Sequence, residues 1–317
     1  MSVESGKHWS EVRERGDVAG MSFLYGIYLR MGRWAFSLLL CPVIVYFWLT
    51  ARAARRASRE YLSRVRERLA ALGRPPAKAL TTLHHFYEFG RSVLDKGAMW
   101  GGSFRGPALE FDDPQLFNQI RESGRGALFI GSHLGNLEML RAYASHEHAL
   151  KVNALVSSRS SPKLRRFASA IGPRAFETMI EIDTLGPESV ITLQDKIRAG
   201  EHIAIAADRV SVRHRERSIN VPFFGSPAPF PEGPFILASL LACPVYLLFC
   251  VADGRGYRVY IEPFADPLIL PRSKRHETLE RIVARYAQRL ESYCLLAPTQ
   301  WFNFFAFWEQ AGSYRAN

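Results

Sequence analysis

Residues 126–140 read GALFIGSHLGNLEML, and the fold turns on how that stretch is parsed. Ala127–Ile130 is a short apolar run of the kind buried on both faces of a parallel sheet. Gly131 permits a tight turn, His133 follows at once, and a helix starting near Asn136 carries Glu138 in its first turn. A strand that hands over to a helix in this way belongs to an α/β sandwich, where ligands gather at the carboxyl ends of the strands. His133 is therefore expected at the rim of the sheet.

Further apolar runs follow the same pattern: KVNALVSS (151–158), HIAIAAD (202–208), PVYLLFCVAD (244–253) and YRVYIEP (257–263). Helical stretches separate most of them, which predicts a central, largely parallel sheet flanked by helices. The segment HETLERIVARYAQRLESYCLL (276–296) has the spacing of an amphipathic helix, and WFNFFAFW (301–308) follows it. Trp301 and the nearby phenylalanines are expected to touch a hydrophobic substrate path.

Upstream, AFSLLLCPVIVYFWLT (35–50) carries no charge, with Arg30 and Arg33 before it and Arg52, Arg55, Arg56 and Arg59 after it. Cationic flanks around an apolar run suit lipid head groups, so a membrane helix is expected here, with Pro42 as a place for a kink. The stronger positive cluster follows the run, which would put the body of the protein on the cytoplasmic side if the run spans a membrane. Residues 53–72 have helical spacing with many arginines, suited to a membrane surface or to packing on the main domain. Another helix is expected over 79–99, where the adjacent His84 and His85 point to different faces and so do not chelate a metal together. The expected organisation is an anchoring segment over 1–60 and a catalytic domain over 61–317.

The chain of 317 residues is 48% apolar and 22% charged, enough to bury a sizeable core. Its formal net charge of +11 calls for negative partners: phospholipid head groups, nucleic acid or an acidic carrier protein, among which charge alone does not choose. Its basic residues cluster beside apolar anchors and form no recognised nucleic-acid motif, so no nucleic-acid partner is expected. Cys41, Cys243, Cys250 and Cys294 form no CxxC pair and fit a reducing compartment. The amino terminus lacks the pattern of a secretory signal. There is no GxSxG elbow, no P-loop and no GxGxxG, and His146 with His148 is too small a set for a metal. No cofactor or metal is expected.

A histidine paired with a carboxylate at the end of a strand either closes a turn at the head of a capped helix or serves as a base. As a base it takes the proton from a substrate hydroxyl as that hydroxyl attacks a thioester, while the carboxylate fixes its tautomer. In this reading His133 is the base and Glu138 the carboxylate. The rival class is a membrane-surface scaffold, for which His133→Ala would change nothing.

GSHLGNLEM (131–139) resembles the HX4(D/E) block of the bacterial lipid A late acyltransferases, the lauroyl and myristoyl transferase group. NALVSSRSSPKLRRF (153–167) is similar to that family's second block, AIAADRVSV (204–212) to its strand ending in an aspartate, and NVPFFGSPAPFPEG (220–233) to its proline- and phenylalanine-rich stretch. The resemblance implies that His133 and Glu138 are catalytic, that Arg159 stabilises the thioester oxyanion or a carrier phosphate, and that Asp208 orders the pocket. Asn136 and Arg209 join Arg159 and Asp208 as substrate-binding residues. It also implies an acyl carrier protein thioester as donor and a membrane lipid as acceptor. Arg209 stands where lipid A enzymes commonly carry an amide or acidic residue, and Arg213, Arg215 and Arg217 follow. Divergent members of this kind occur beside fatty acid and aryl polyene enzymes, so that substrate class ranks ahead of lipid A. The FPEG at 230–233 echoes glycerol phosphate acyltransferases, but here it precedes PFILASLLA and reads as a helix start.

Overall fold

The computed structural model describes residues 18–75, 80–100, 108–138, 150–156, 178–181, 186–210, 217–254 and 256–309. Helices α1 (Val18–Thr50), α2 (Arg52–Ala71) and α3 (Thr82–Trp100) precede the sheet. Strands β1 (Ala108–Phe111), β2 (Leu128–Gly131), β3 (Val152–Val156), β4 (Met179–Glu181) and β5 (His202–Ala206) follow, with α4 (Pro114–Glu122) and α5 (Pro187–Arg198) among them. The hairpin β6 (Ser218–Phe223) and β7 (Ser226–Pro231) leads through α6 (Gly233–Leu241) to β8 (Val245–Ala252), β9 (Gly256–Ala265) and α7 (Arg275–Leu296).

Seven strands make one sheet in the order β1-β9-β8-β2-β5-β3-β4, and every neighbouring pair is parallel except β8 and β9. The expected largely parallel α/β sandwich is what the chain adopts. Side chains alternate across β2 and β8 as the pleat requires. Leu128, Ile130, Val245, Leu247 and Phe249 join α2, α5, α6 and α7 in the main core, while Phe129, Leu248 and Cys250 pack on the other face with Phe117 and Ile120 of α4. Tyr61, Leu62 and Val65 are fully buried in the main core. The expected boundary at residue 60 thus falls inside α2, a helix whose second half is core.

The β6–β7 hairpin went unread in the sequence because Pro222, Pro227, Pro229 and Pro231 argue against strand. It forms a separate two-stranded sheet, where each strand has an edge that needs no ladder donor. Ile219, Val221, Phe223, Ala228 and Phe230 are buried beneath it. Phe224 and Gly225 turn the hairpin with φ of 50° and 74°, the paired left-handed conformation of a tight two-residue turn.

The apolar run 35–50 is the second half of α1. Sixteen helical residues rise about 24 Å, short of the roughly 30 Å hydrocarbon core. Among the described residues no single helix is long and apolar enough to cross a membrane; Ser37–Thr50 and Arg52–Ala71 meet that test only together, bent by 94°. One side of α1 packs, through Leu40 and Ile44, against Phe86 of α3. A methyl group on Gly90 would stand 2.7 Å from Ile44, so the missing side chain sets this close approach. Leu38, Leu39, Val45, Tyr46 and Leu49 stay exposed.

Candidate active site

The sheet register builds the site. Gly131 at the end of β2 lies opposite Ala206 at the end of β5, so the residues two positions beyond, His133 and Asp208, stand side by side. Asp208 is buried and its Oδ1 accepts a hydrogen bond from His133 Nδ1 at 2.8 Å. Its Oδ2 accepts the backbone N–H of His133 and the indole N–H of Trp301, each at 2.9 Å. Burial by itself would raise the Asp208 pKa, but the charge of His133, the hydrogen bonds from its ring and backbone, and Arg209 together hold it at about 2. An ionised carboxylate only accepts, so Nδ1 carries the proton and Nε2 presents a lone pair.

Among the described residues none hydrogen-bonds Nε2. Solvent reaches 38% of the His133 side chain. Burial of the rest of the ring first, then the cations Arg209 and Lys96, lower the His133 pKa against the pull of Asp208. The ring is therefore neutral at neutral pH, the form a general base requires.

The loop after β2 is held from three sides. Gly135 takes φ of 68°, donates to the Gln300 carbonyl and packs so closely on β8 that a methyl group there would sit 1.9 Å from the Cys250 carbonyl oxygen. The left-handed turn is made here, not at Gly131, which instead leaves room for Leu137. The Asn136 backbone N–H reaches Cys250 O at 2.7 Å. Phe302 N–H donates to His133 O at 3.0 Å, so residues 300–302 run beside the loop like a short extra strand.

Sequence reasoning gave the tautomer-fixing hydrogen bond to Glu138; the structure gives it to Asp208, because parallel register, not proximity in the chain, decides what faces Nδ1. Glu138 follows Leu137 in the opening helical turn, half-buried, and its charge favours the protonated form of Lys96 on α3, against burial and Arg209. Asn136 has no exposed surface: its side chain donates to Ser92 O at 3.3 Å and meets the Tyr257 hydroxyl, tying the loop to α3 and β9. Arg209 is half-buried and donates to Phe302 O at 2.9 Å. Arg159, Arg213 and Arg215, with His146 and His148, lie outside the described residues, and Arg217 is exposed.

Trp301 does not line an open path. It is 1% exposed and packs edge-on against Tyr61, Phe223 and Phe307 in the core. Lys96 and the polar face of Trp301 were missed by sequence reasoning. For the His133–Asp208 pair the one available signal was shared spacing, since ALFIGSH and IAIAAD each carry a titratable side chain two residues past the end of the strand.

Residues 106–310 match the family model described as bacterial lipid A biosynthesis acyltransferase. The chain belongs to that family. It is accordingly an acyltransferase of the lipid A acyltransferase family acting on lipids. This family member is similar to the phosphatidylinositol mannoside acyltransferase of Mycolicibacterium smegmatis, 25% identical over 222 residues that cover 66% of this chain and 69% of that protein. Among solved structures it matches the 1-acyl-sn-glycerophosphate acyltransferase PlsC from Thermotoga maritima with a TM-score of 0.35 and 12% identity, over 80% of this chain and 96% of that one. At that score the match adds nothing to the fold, which rests on the sheet of this acyltransferase itself.

Proposed function

We propose that the protein moves a fatty or aryl polyene acyl chain from an acyl carrier protein thioester to a hydroxyl of a membrane lipid. The acceptor O–H gives its proton to His133 Nε2 while the oxygen attacks the thioester carbon. Asp208 stabilises the imidazolium that results. The tetrahedral oxyanion then collapses, the C–S bond breaks, and the imidazolium returns its proton to the leaving thiolate. No acyl-enzyme forms. The observation that carries the reading is the 2.8 Å bond from His133 Nδ1 to a buried, ionised Asp208, which leaves Nε2 unprotonated at the strand ends.

Glu138 keeps a part in this reading through Lys96, whose charge it balances beside the base. Arg159 is assigned the oxyanion or carrier phosphate, and Arg209 a place in the substrate site, since a guanidinium pairs well with phosphate. Asn136 acts by holding the loop. Residues 1–60 are assigned to the inner membrane with the catalytic domain on its cytoplasmic side, supported by the exposed apolar face of α1 and the exposed Arg52, Arg56 and Arg59 beyond the bend. The similar mycobacterial protein is named for a glycosylated phospholipid acceptor, so such a lipid belongs in the test beside lipid A precursors.

The test is to incubate membranes holding the protein, or its Asp208→Asn variant, with radiolabelled acyl carrier protein thioesters and to identify the labelled lipid. Label should enter a lipid rapidly with the unaltered protein and only at a small residual rate with Asp208→Asn. Absence of transfer from every carrier or coenzyme A thioester would overturn the reading.

A further inference from the structure

We infer that Trp301 is a positioning residue of the acyl-transfer reaction, holding Asp208 through its indole N–H and itself fixed from behind by His85. The inference rests on the reading of His133 and Asp208 given above.

Asp208 Oδ2 has two N–H donors, the His133 backbone and Trp301 Nε1, both at 2.9 Å. Two donors on one oxygen fix the carboxylate plane, and Oδ1 is thereby aimed at His133 Nδ1. The backbone donor moves with the loop that carries His133. Trp301 is the donor that comes from elsewhere, so it supplies the fixed reference against which the pair is set. Its ring cannot turn: Tyr61, Phe223, Phe307 and Trp308 surround it.

The backbone of Trp301 is held as firmly. His85 on α3 has no exposed surface, and its Nε2 lies 2.9 Å from Trp301 O. A carbonyl only accepts, so Nε2 carries the proton and Nδ1 accepts from Ser58 Oγ on α2 at 2.8 Å. Burial keeps this histidine neutral by lowering its pKa to about 4. Gln300, the residue before, clasps Ala252 with both ends of its amide, at 2.8 and 2.7 Å. The line Ser58–His85–Trp301–Asp208–His133 thus joins α2 and α3 to the base through directional bonds.

Deleting the indole N–H leaves a buried carboxylate with one fewer donor and makes it more basic. It then holds the imidazolium more strongly, so the His133 pKa rises and the acid limb of the rate profile moves to higher pH. Among the described residues, the other charged and titratable groups near the pair are Arg209, Lys96 with Glu138 beside it, Tyr286 and Cys294. None of them is altered by the change.

Two full-length variants make the test: Trp301→Phe, and Trp301 replaced by β-(3-benzothienyl)alanine, which keeps the ring shape and removes only the N–H. Each is assayed for transfer from an acyl carrier protein thioester across pH, alone and on the residual rate of Asp208→Asn. We expect kcat to fall roughly tenfold to a hundredfold, in keeping with one lost bond to a charged group. KM should hold, the acid limb should move up in pH, and the loss should vanish in the Asp208→Asn background. A benzothienyl variant with wild-type kcat and an unmoved profile, beside a crippled Asp208→Asn, overturns this role and leaves the pair standing. An equal loss at every pH and in both backgrounds also overturns it, leaving only a packing role. Full activity in Asp208→Asn overturns the reading of the pair itself, and this role with it.

Discussion

His133 and Asp208 lie 75 positions apart and meet because two parallel strands end level with one another. Both residues were legible in the sequence as strand-end groups, and the glutamate five positions after the histidine was the nearer carboxylate. Local spacing could not show which one faces Nδ1, since that depends on which strands are neighbours and on their register. Asp208→Asn should cost on the order of a hundredfold to ten-thousandfold in kcat, the range of a lost general-base arrangement. Gly135→Ala should destabilise the fold by at least about 2 kcal/mol, since a left-handed alanine and a clash with a backbone carbonyl coincide there; a lowered Tm is the check, and an unchanged one would mean that the loop shifts freely. His85 gives a pH signature. Its folded pKa of about 4 lies below the ordinary 6.5, so the unfolded chain takes up the proton first. The stability this histidine permits is full above pH 6.5, falls by on the order of 3 kcal/mol as pH drops to 4, and is level below that. Urea unfolding of the wild type and His85→Gln at a series of pH values should show their gap narrowing over that window; parallel curves would contradict a neutral buried His85.

At the scale of elements, sequence periodicity found α2, α3, α7 and the strands β2, β3, β5, β8 and β9. It missed β1 and β4, which are short, and the proline-rich hairpin, whose prolines stand where no ladder donor is required. α1 was read from its apolar run alone, and that run divides in the structure between a side packed on α3 and a side left open. The open side, with Leu38, Tyr46 and Leu49, lies next in sequence to exposed arginines on α2 spaced on one helical stripe. Replacing Leu38 and Leu49 by Gln should weaken binding to vesicles containing anionic phospholipid by about an order of magnitude, each exposed leucine being worth roughly 1 kcal/mol or more on insertion. Co-sedimentation measures this, and undiminished binding would detach α1 from the membrane.

For the whole molecule, an excess of eleven positive charges attracts anionic partners at long range. The KM for an acidic carrier thioester should rise between low and physiological salt, while kcat, set inside the site, should change little. A KM indifferent to salt would argue for a neutral donor. Net charge and apolar content were readable from composition, and so was the preference for negative partners; which lipid is acylated was not, because no local motif encodes it. The most direct test of the account is single-turnover acyl transfer from a radiolabelled acyl carrier protein thioester to lipid, comparing the wild type with His133→Ala and Asp208→Asn at matched fold and membrane binding. The wild type should label lipid rapidly with no labelled protein, and both variants should lose nearly all transfer; a wild-type rate in either variant, or label that passes through the protein, would contradict the roles given to His133 and Asp208.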